Sequence, residues 1–165
     1  MSFKERIQED LVRSLKEKDE LKASVFRLLL ASLLNREKEK RYKAYQTKTD
    51  IAEKELVEKS QLTDEEIVEV VSSEIKKRKE AALGFEKGKR QDLANKEKKE
   101  LEILKEYLPE QMLEEEIRNL VKEIIEKVGA KTQKDMGKVM SQLMPIIKGK
   151  ADGGLVSNIV KELLS

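Results

Sequence analysis

The residues best placed to do chemistry in this chain are Lys148 and Lys150, set in the glycine-rich turn KGKADGG. Their chemistry would be electrostatic. Asp152 begins a helix whose apolar stripe is Leu155, Val156, Ile159, Val160 and Leu163. Free backbone N–H groups at a helix N-terminus favour anions, so a nucleic-acid phosphate would suit this end. The competing occupant is Asp152 itself, which can satisfy those donors and leave the lysines solvated. Just upstream, Met136, Val139, Met140 and Leu143 recur at helical spacing as a core seam, while Lys134, Lys138 and Ser141 fall on a different face. Gly137, inside that helix, costs about 1 kcal/mol relative to alanine, which points to close packing or close approach of a partner. Pro145 is expected to end or bend the helix.

Other clusters read as surface. Ser73 and Lys76 have the S-x-x-K spacing of some acyl-transferring enzymes, with nothing else of those enzymes beside them. Lys76, Lys77, Arg78 and Lys79 are consecutive and fan around a helix, so they cannot form one flat phosphate-binding face. Glu114, Glu115 and Glu116 complement a helix N-terminus and need no metal to explain them. The segment REKEKRYKAYQTK interleaves basic residues with Tyr42 and Tyr45, a composition able to stack bases and pair phosphates. The chain has no histidine and no cysteine. That removes the usual proton shuttle, the thiol nucleophile and the commonest zinc ligands. No P-loop pattern G-x-x-x-x-G-K-[ST] occurs. We therefore expect no catalytic residues, no metal and no cofactor.

The elements that position these residues are expected to be helices throughout. Charged residues make up 41% of the chain and aromatic residues 4%, and Ala, Leu, Glu and Lys dominate, as in all-α proteins. The predicted order begins with a capping box at Ser2 and Glu5 and a stripe of Phe3, Ile7, Leu11 and Leu15. A second helix restarts at Asp19, with Leu21, Val25, Phe26, Leu29, Leu30, Leu33 and Leu34 inward. Residues 36–61 form a charged helical extension or hairpin, in which Tyr42, Tyr45, Ile51, Ala52 and Leu56 give a ragged pattern. Thr63 caps a further helix that stops at Gly88, and Gln91–Leu108 forms the next, ended by Pro109. Residues 1–108 are expected as one helical subdomain and 109–165 as a second, of three helices. Net charge is +2 but uneven: residues 129–165 hold six lysines and three acids after an acidic stretch at 100–128. The apolar run Leu21–Leu34 is too short to span a bilayer. Early charges at Lys4, Glu5 and Arg6 interrupt any secretory signal, so a cytoplasmic location is expected.

Three segments carry a family resemblance: TDEEIVEVVSSEIKKRKEAALGFEKGKRQDL, LEILKEYLPEQM and VGAKTQKDMGKVMSQLMPIIKGKADGGLVSNIVKELL. With the opening helices, they resemble the YqeY-type proteins of the GatB/YqeY group over nearly the whole chain. The resemblance implies an all-helical fold related to the tail of the B subunit of tRNA-dependent amidotransferases. Those enzymes are carbon–nitrogen ligases that use glutamine as amide donor, and their tail contacts tRNA while the chemistry lives elsewhere. Gly137, Val139, Met140, Gly149, Lys150, Ala151, Leu155 and Val156 match that tail; Lys138 and Asp152 fit the free-standing pattern better. The implied partner is tRNA, contacted by Lys134, Lys138, Lys148, Gly149 and Lys150, with Gly137, Met140, Ala151, Asp152 and Val156 as scaffold. An aminoacyl-tRNA synthetase or amidotransferase subunit docked on the C-terminal helices is the alternative partner. Two departures stand out: residues 36–61 are longer and more charged than the family pattern, and Leu113 sits where a Ser or Thr cap is usual.

Overall fold

The computed structural model describes residues 2–47, 50 and 52–165; Lys48 and Ile51, included in the patterns above, lie outside the described residues. Among them the chain forms eight α-helices, one 3-10 turn and no strand, the all-α class expected from composition. It divides into two compact units, Met1–Tyr107 and Leu108–Ser165. Among the described residues no helix is long and apolar enough to cross a membrane.

The first unit contains α1 (Phe3–Lys16), α2 (Glu20–Thr47), α3 (Glu53–Ser60), α4 (Asp64–Lys87) and α5 (Gln91–Lys105). The predicted capping boxes form at both expected starts. Ser2 Oγ accepts from the Glu5 N–H, and the Glu5 carboxylate accepts from the Ser2 N–H at 2.7 Å. Thr63 and Glu66 repeat the arrangement on α4. Asp19 caps α2 by accepting the Lys22 N–H at 3.0 Å. The core is built from Ile7 of α1, Val25, Phe26, Leu29 and Leu33 of α2, Ile67, Val71 and Ile75 of α4, and Leu101 and Leu104 of α5.

Several boundaries differ from the sequence expectation. Leu15 and Leu34, placed on inner stripes by their spacing, are 48% and 47% exposed. Leu15 follows the buried part of its stripe, and Leu34 lies on the outward side of α2. The stop of α4 at Gly88 is as expected, and the left-handed residue of the α4–α5 turn is Lys89 (φ 56°). Gly88 only ends the helix, and the Arg90 N–H closes the turn onto the Phe85 carbonyl at 2.8 Å. Helix α5 stops at Lys105 rather than Leu108. Tyr107 then turns inward, edge-on to Phe26 and Phe3 with centroids 5.6 and 6.0 Å away. Its hydroxyl donates to Asp10, and the Arg6 guanidinium lies 5.2 Å from its ring centroid. Burial, then the neighbouring Asp10 carboxylate, push the phenol well above its ordinary range.

A buried ion network crosses this unit. Arg78, one of the four consecutive basic residues, is 7% exposed, while Lys76, Lys77 and Lys79 are exposed. Its guanidinium meets Glu74 at 3.0 Å on its own helix and Glu100 of α5 at 3.2 Å. Ser32 of α2 and Lys77 also donate to Glu74.

The second unit contains α6 (Glu114–Val128), a 3-10 turn (Gln133–Asp135), α7 (Met136–Ile147) and α8 (Gly153–Leu163). Its core is Ile117, Val121 and Ile124 of α6, Val139, Leu143 and Ile147 of α7, and Val156, Ile159, Val160 and Leu164 around α8. Leu113 supplies no side-chain cap, but its N–H donates to Glu116 Oε2 at 2.7 Å, which makes half a capping box. Gly129 takes the left-handed conformation (φ 64°) that ends α6. Pro145 does not end α7, which runs on to Ile147. The proline and Ser141, whose carbonyl would have received the missing N–H, are both exposed, so the lost bond leaves no buried polar group.

Candidate nucleic-acid interface

The C-terminal turn is held by the motif that precedes α6. The Gln111 side-chain amide donates to the Gly149 carbonyl at 2.7 Å and to the Pro109 carbonyl at 2.8 Å. The Met112 N–H donates to the Lys150 carbonyl at 2.8 Å, while the N–H groups of Lys150 and Ala151 return to the Ile147 carbonyl. Gly149 sits at φ 72°, the left-handed region that glycine enters without strain. The turn therefore presents Lys148 and Lys150 from a backbone fixed at both sides. Sequence reading assigned Pro109–Met112 only to a boundary. The bond from Gln111 to a carbonyl 38 positions away leaves no local signature.

The expected anion site at the start of α8 is already filled. Asp152 Oδ1 accepts from the Gly154 and Leu155 N–H groups at 2.9 and 3.0 Å. Of the two occupants the sequence left open, the structure has the carboxylate. A phosphate would meet lysine side chains rather than the helix end. The spacing of Thr132 and Asp135 before α7 suggests that either can cap it, and for Asp135 the structure differs. Asp135 does not cap α7 by its side chain; it folds back and accepts from the Lys131 and Thr132 N–H groups at 3.0 and 3.2 Å. Those donors hold its carboxyl below the ordinary carboxylate range.

The remaining candidates divide into frame and surface. Val156 is fully buried, and Met136, Met140 and Ala151 pack against the core from its edge. Lys134, Lys138, Lys148 and Lys150 are exposed. They form two pairs rather than one cluster. Lys134 and Lys138 flank the start of α7, and Lys148 and Lys150 follow its end. Nine residues of α7 lie between Lys138 and Lys148, which sets them about 15 Å apart along the helix axis.

The electrostatics of residues 129–165 are more one-sided than their count. The segment has three acids, and all are committed. Asp135 and Asp152 face backbone donors, and Glu162 takes a two-pronged ion pair from Arg118 at 3.0 and 3.2 Å. Among the described residues Lys131, Lys134, Lys138, Lys150 and Lys161 enter no ion pair. These five lysines can thus offer positive charge to an anionic partner without first breaking ion pairs.

Gly137 is not there for packing. It is exposed, and a Cβ built on it would meet nothing within 4 Å. Gly137→Ala should therefore raise stability by about 0.5–1 kcal/mol through helix propensity, read as a higher midpoint in urea. If the glycine serves close approach of a partner, the same variant should bind RNA more weakly. A variant that gains neither stability nor loses affinity would remove both accounts of this position.

The family model for the Yqey-like protein matches residues 37–164, so the chain belongs to the YqeY-like family. The match takes in the charged segment after residue 36 and begins after most of the two opening helices. An uncharacterized protein of Schizosaccharomyces pombe is 37% identical over 93 residues, covering 54% of this chain and 73% of that protein. The protein of Pyrenophora tritici-repentis called Altered inheritance of mitochondria protein 41, mitochondrial, is 27% identical over 162 residues, 96% of this chain and 79% of that protein.

Proposed function

We propose that the C-terminal unit binds the phosphate backbone of tRNA, and that the protein serves as an accessory module related to the tail of glutamine-dependent tRNA amidotransferases, without catalysis of its own. The observation that carries this reading is the commitment of all three acids of residues 129–165 to internal partners, beside exposed lysines at both ends of α7. The relation to amidotransferase tails supplies the class of RNA. The lysines would position rather than read, because base-specific recognition needs groove contacts that this surface does not build.

Each phosphate neutralised contributes a slope of about −0.7 to −0.9 in log affinity against log salt, so four lysine contacts give a slope of about −3. Titration of labelled tRNA at increasing salt should show that slope, and Lys148→Ala with Lys150→Ala should reduce it by roughly half. Absence of binding at low salt, or an unchanged slope in the double variant, would refute the proposal.

A second reading has its own observation. Met144, Ile146 and Leu155 are 47%, 44% and 39% exposed around the same turn, which suits docking of a synthetase or amidotransferase subunit. Capture of such a subunit that survives nuclease and high salt would favour it. A cytoplasmic location belongs to the proposal; the name of the Pyrenophora relative places that protein in mitochondria.

A further inference from the structure

The outward face of α2 carries chemistry that the C-terminal unit does not. Leu34, Lys38, Tyr42 and Tyr45 follow one another at spacings of four, four and three, so they line one face of a continuous helix. This face is turned away from the buried Leu29, Leu33 and Glu37. Tyr42 is 63% exposed and Tyr45 50%, in a chain with only three tyrosines and no tryptophan. Gln46 donates to the Tyr42 hydroxyl at 2.9 Å.

The charges around the rings are sorted in the same way as in the C-terminal unit. The two acids of residues 36–47 are both taken: Glu37 is buried and accepts from Lys4 at 2.6 Å, and Glu39 pairs with Arg36 at 3.2 Å. Lys40 turns to Glu66 and Arg41 to Ser60. Among the described residues Lys38 and Lys43 enter no ion pair. Two exposed rings are left on this face of α2, with the uncommitted Lys38 one turn before Tyr42, Lys43 on the adjoining side, and both acids of residues 36–47 already engaged.

We infer that this face binds single-stranded RNA, with Tyr42 and Tyr45 stacking on successive bases and Lys38, one turn before Tyr42, meeting a phosphate. The inference rests on the reading of the protein as RNA-binding, but it uses a different unit and a different interaction. Residues three apart on a helix hold their Cβ atoms about 5–6 Å apart, wider than the 3.4 Å rise of a stacked strand. Such rings suit bases that have already been pulled apart. Stacking on them tolerates any base, since every base has a π-face. A second copy or a protein partner would use Leu34 and gain little from the unpaired lysines.

The protein reports on its own site. Tyr107 is buried on Asp10, so a change in tyrosine emission on RNA addition reads Tyr42 and Tyr45. The full chain should be titrated with a labelled unstructured pyrimidine oligoribonucleotide of about 12 nucleotides, within the range of single-strand site sizes. Binding should quench tyrosine emission. Tyr42→Leu with Tyr45→Leu should weaken binding about tenfold or more, while Tyr42→Phe with Tyr45→Phe retains it. The Lys148→Ala/Lys150→Ala protein should still bind the oligonucleotide and still be quenched. Saturation without quenching, or equal affinity in the leucine variant, overturns this inference and leaves tRNA binding by the C-terminal lysines standing. Quenching that grows with protein concentration in the absence of RNA, with a dimer in sedimentation, assigns the face to a second copy and also overturns it. Failure of the unaltered protein to bind either RNA overturns both readings.

Discussion

Replacing Arg78 with alanine should destabilise the protein by about 3–5 kcal/mol, the usual cost of removing one partner of a buried ion pair. That is a large share of the 5–15 kcal/mol by which domains are typically stable. The reason is what would be left behind. Glu74 and Glu100 are 8% and 7% exposed, and both face the guanidinium. Without it, Glu74 keeps the Ser32 hydroxyl and Lys77, whereas Glu100 loses the only side-chain partner it has among the described residues. Urea denaturation at neutral pH measures the loss. Arg78→Met combined with Glu74→Gln and Glu100→Gln should recover most of it, because removing all the charges removes the uncompensated one. A single-variant loss below about 1 kcal/mol, the range of exposed pairs, would refute the network's role. The network also sets a pH dependence. Burial raises the Glu74 carboxyl, but hydrogen bonds from Lys77 and Arg78 outweigh it, and the net position lies below its ordinary 4.5. A folded-state value below the unfolded one gives stability that is present above pH 4.5 and lost as pH falls through the lowered value. In the Arg78→Ala protein that acid sensitivity should shrink.

Arg78 also shows what the sequence could and could not tell. The four consecutive basic residues were read as surface, but they point in different directions around the helix and Arg78 turns inward. That depends on Glu100, which is 22 positions away on α5. Local chemistry was legible. The boxes at Ser2–Glu5 and Thr63–Glu66 form as read, and so does the seam of Val139 and Leu143. Asp152 caps α8, as one of the two readings of that turn held. Each of these is fixed by residues within one helical turn. The rest comes from the tertiary setting. Of the two readings of Pro145, ending the helix is excluded: α7 runs on to Ile147, and the proline lies on its exposed side. Leu34 belongs to the apolar run of α2 by composition but lies on the exposed side, in line with Tyr42 and Tyr45. In the candidate site the lysines were readable as cations. The commitment of all three acids of residues 129–165 was not, since Glu162 reaches Arg118 across 44 positions.

The C-terminal unit should be the more easily lost of the parts that matter for RNA, and Leu143→Ala tests it. Leu108–Ser165 comprises 58 residues, a size at which a chain buries only about 60% of its surface and is marginally stable. Leu143 is fully buried on the seam where α6, α7 and α8 meet, with Val139 and Ile147 on its own helix. Deleting its branched end costs about 2–5 kcal/mol through lost burial and the cavity left behind. A core of this size rarely supplies more than about 3–5 kcal/mol. The expected result is therefore loss of folding in this unit, not a modest softening. Amide exchange should show protection gone from α6, α7 and α8, whereas Leu143→Met, close in volume, should cost less than about 1.5 kcal/mol and keep it. The functional consequence follows from the turn. Its position depends on the Met112 N–H bond to the Lys150 carbonyl and the Lys150 N–H bond to the Ile147 carbonyl, each 2.8 Å long. With the unit unfolded, the lysines keep their charge but lose their arrangement. Affinity for tRNA should fall toward that of a flexible basic segment, with a salt slope no longer set by four fixed contacts. If Leu143→Ala keeps both protection and tRNA affinity, the lysines act as a diffuse charge, and the folded turn is not what binds.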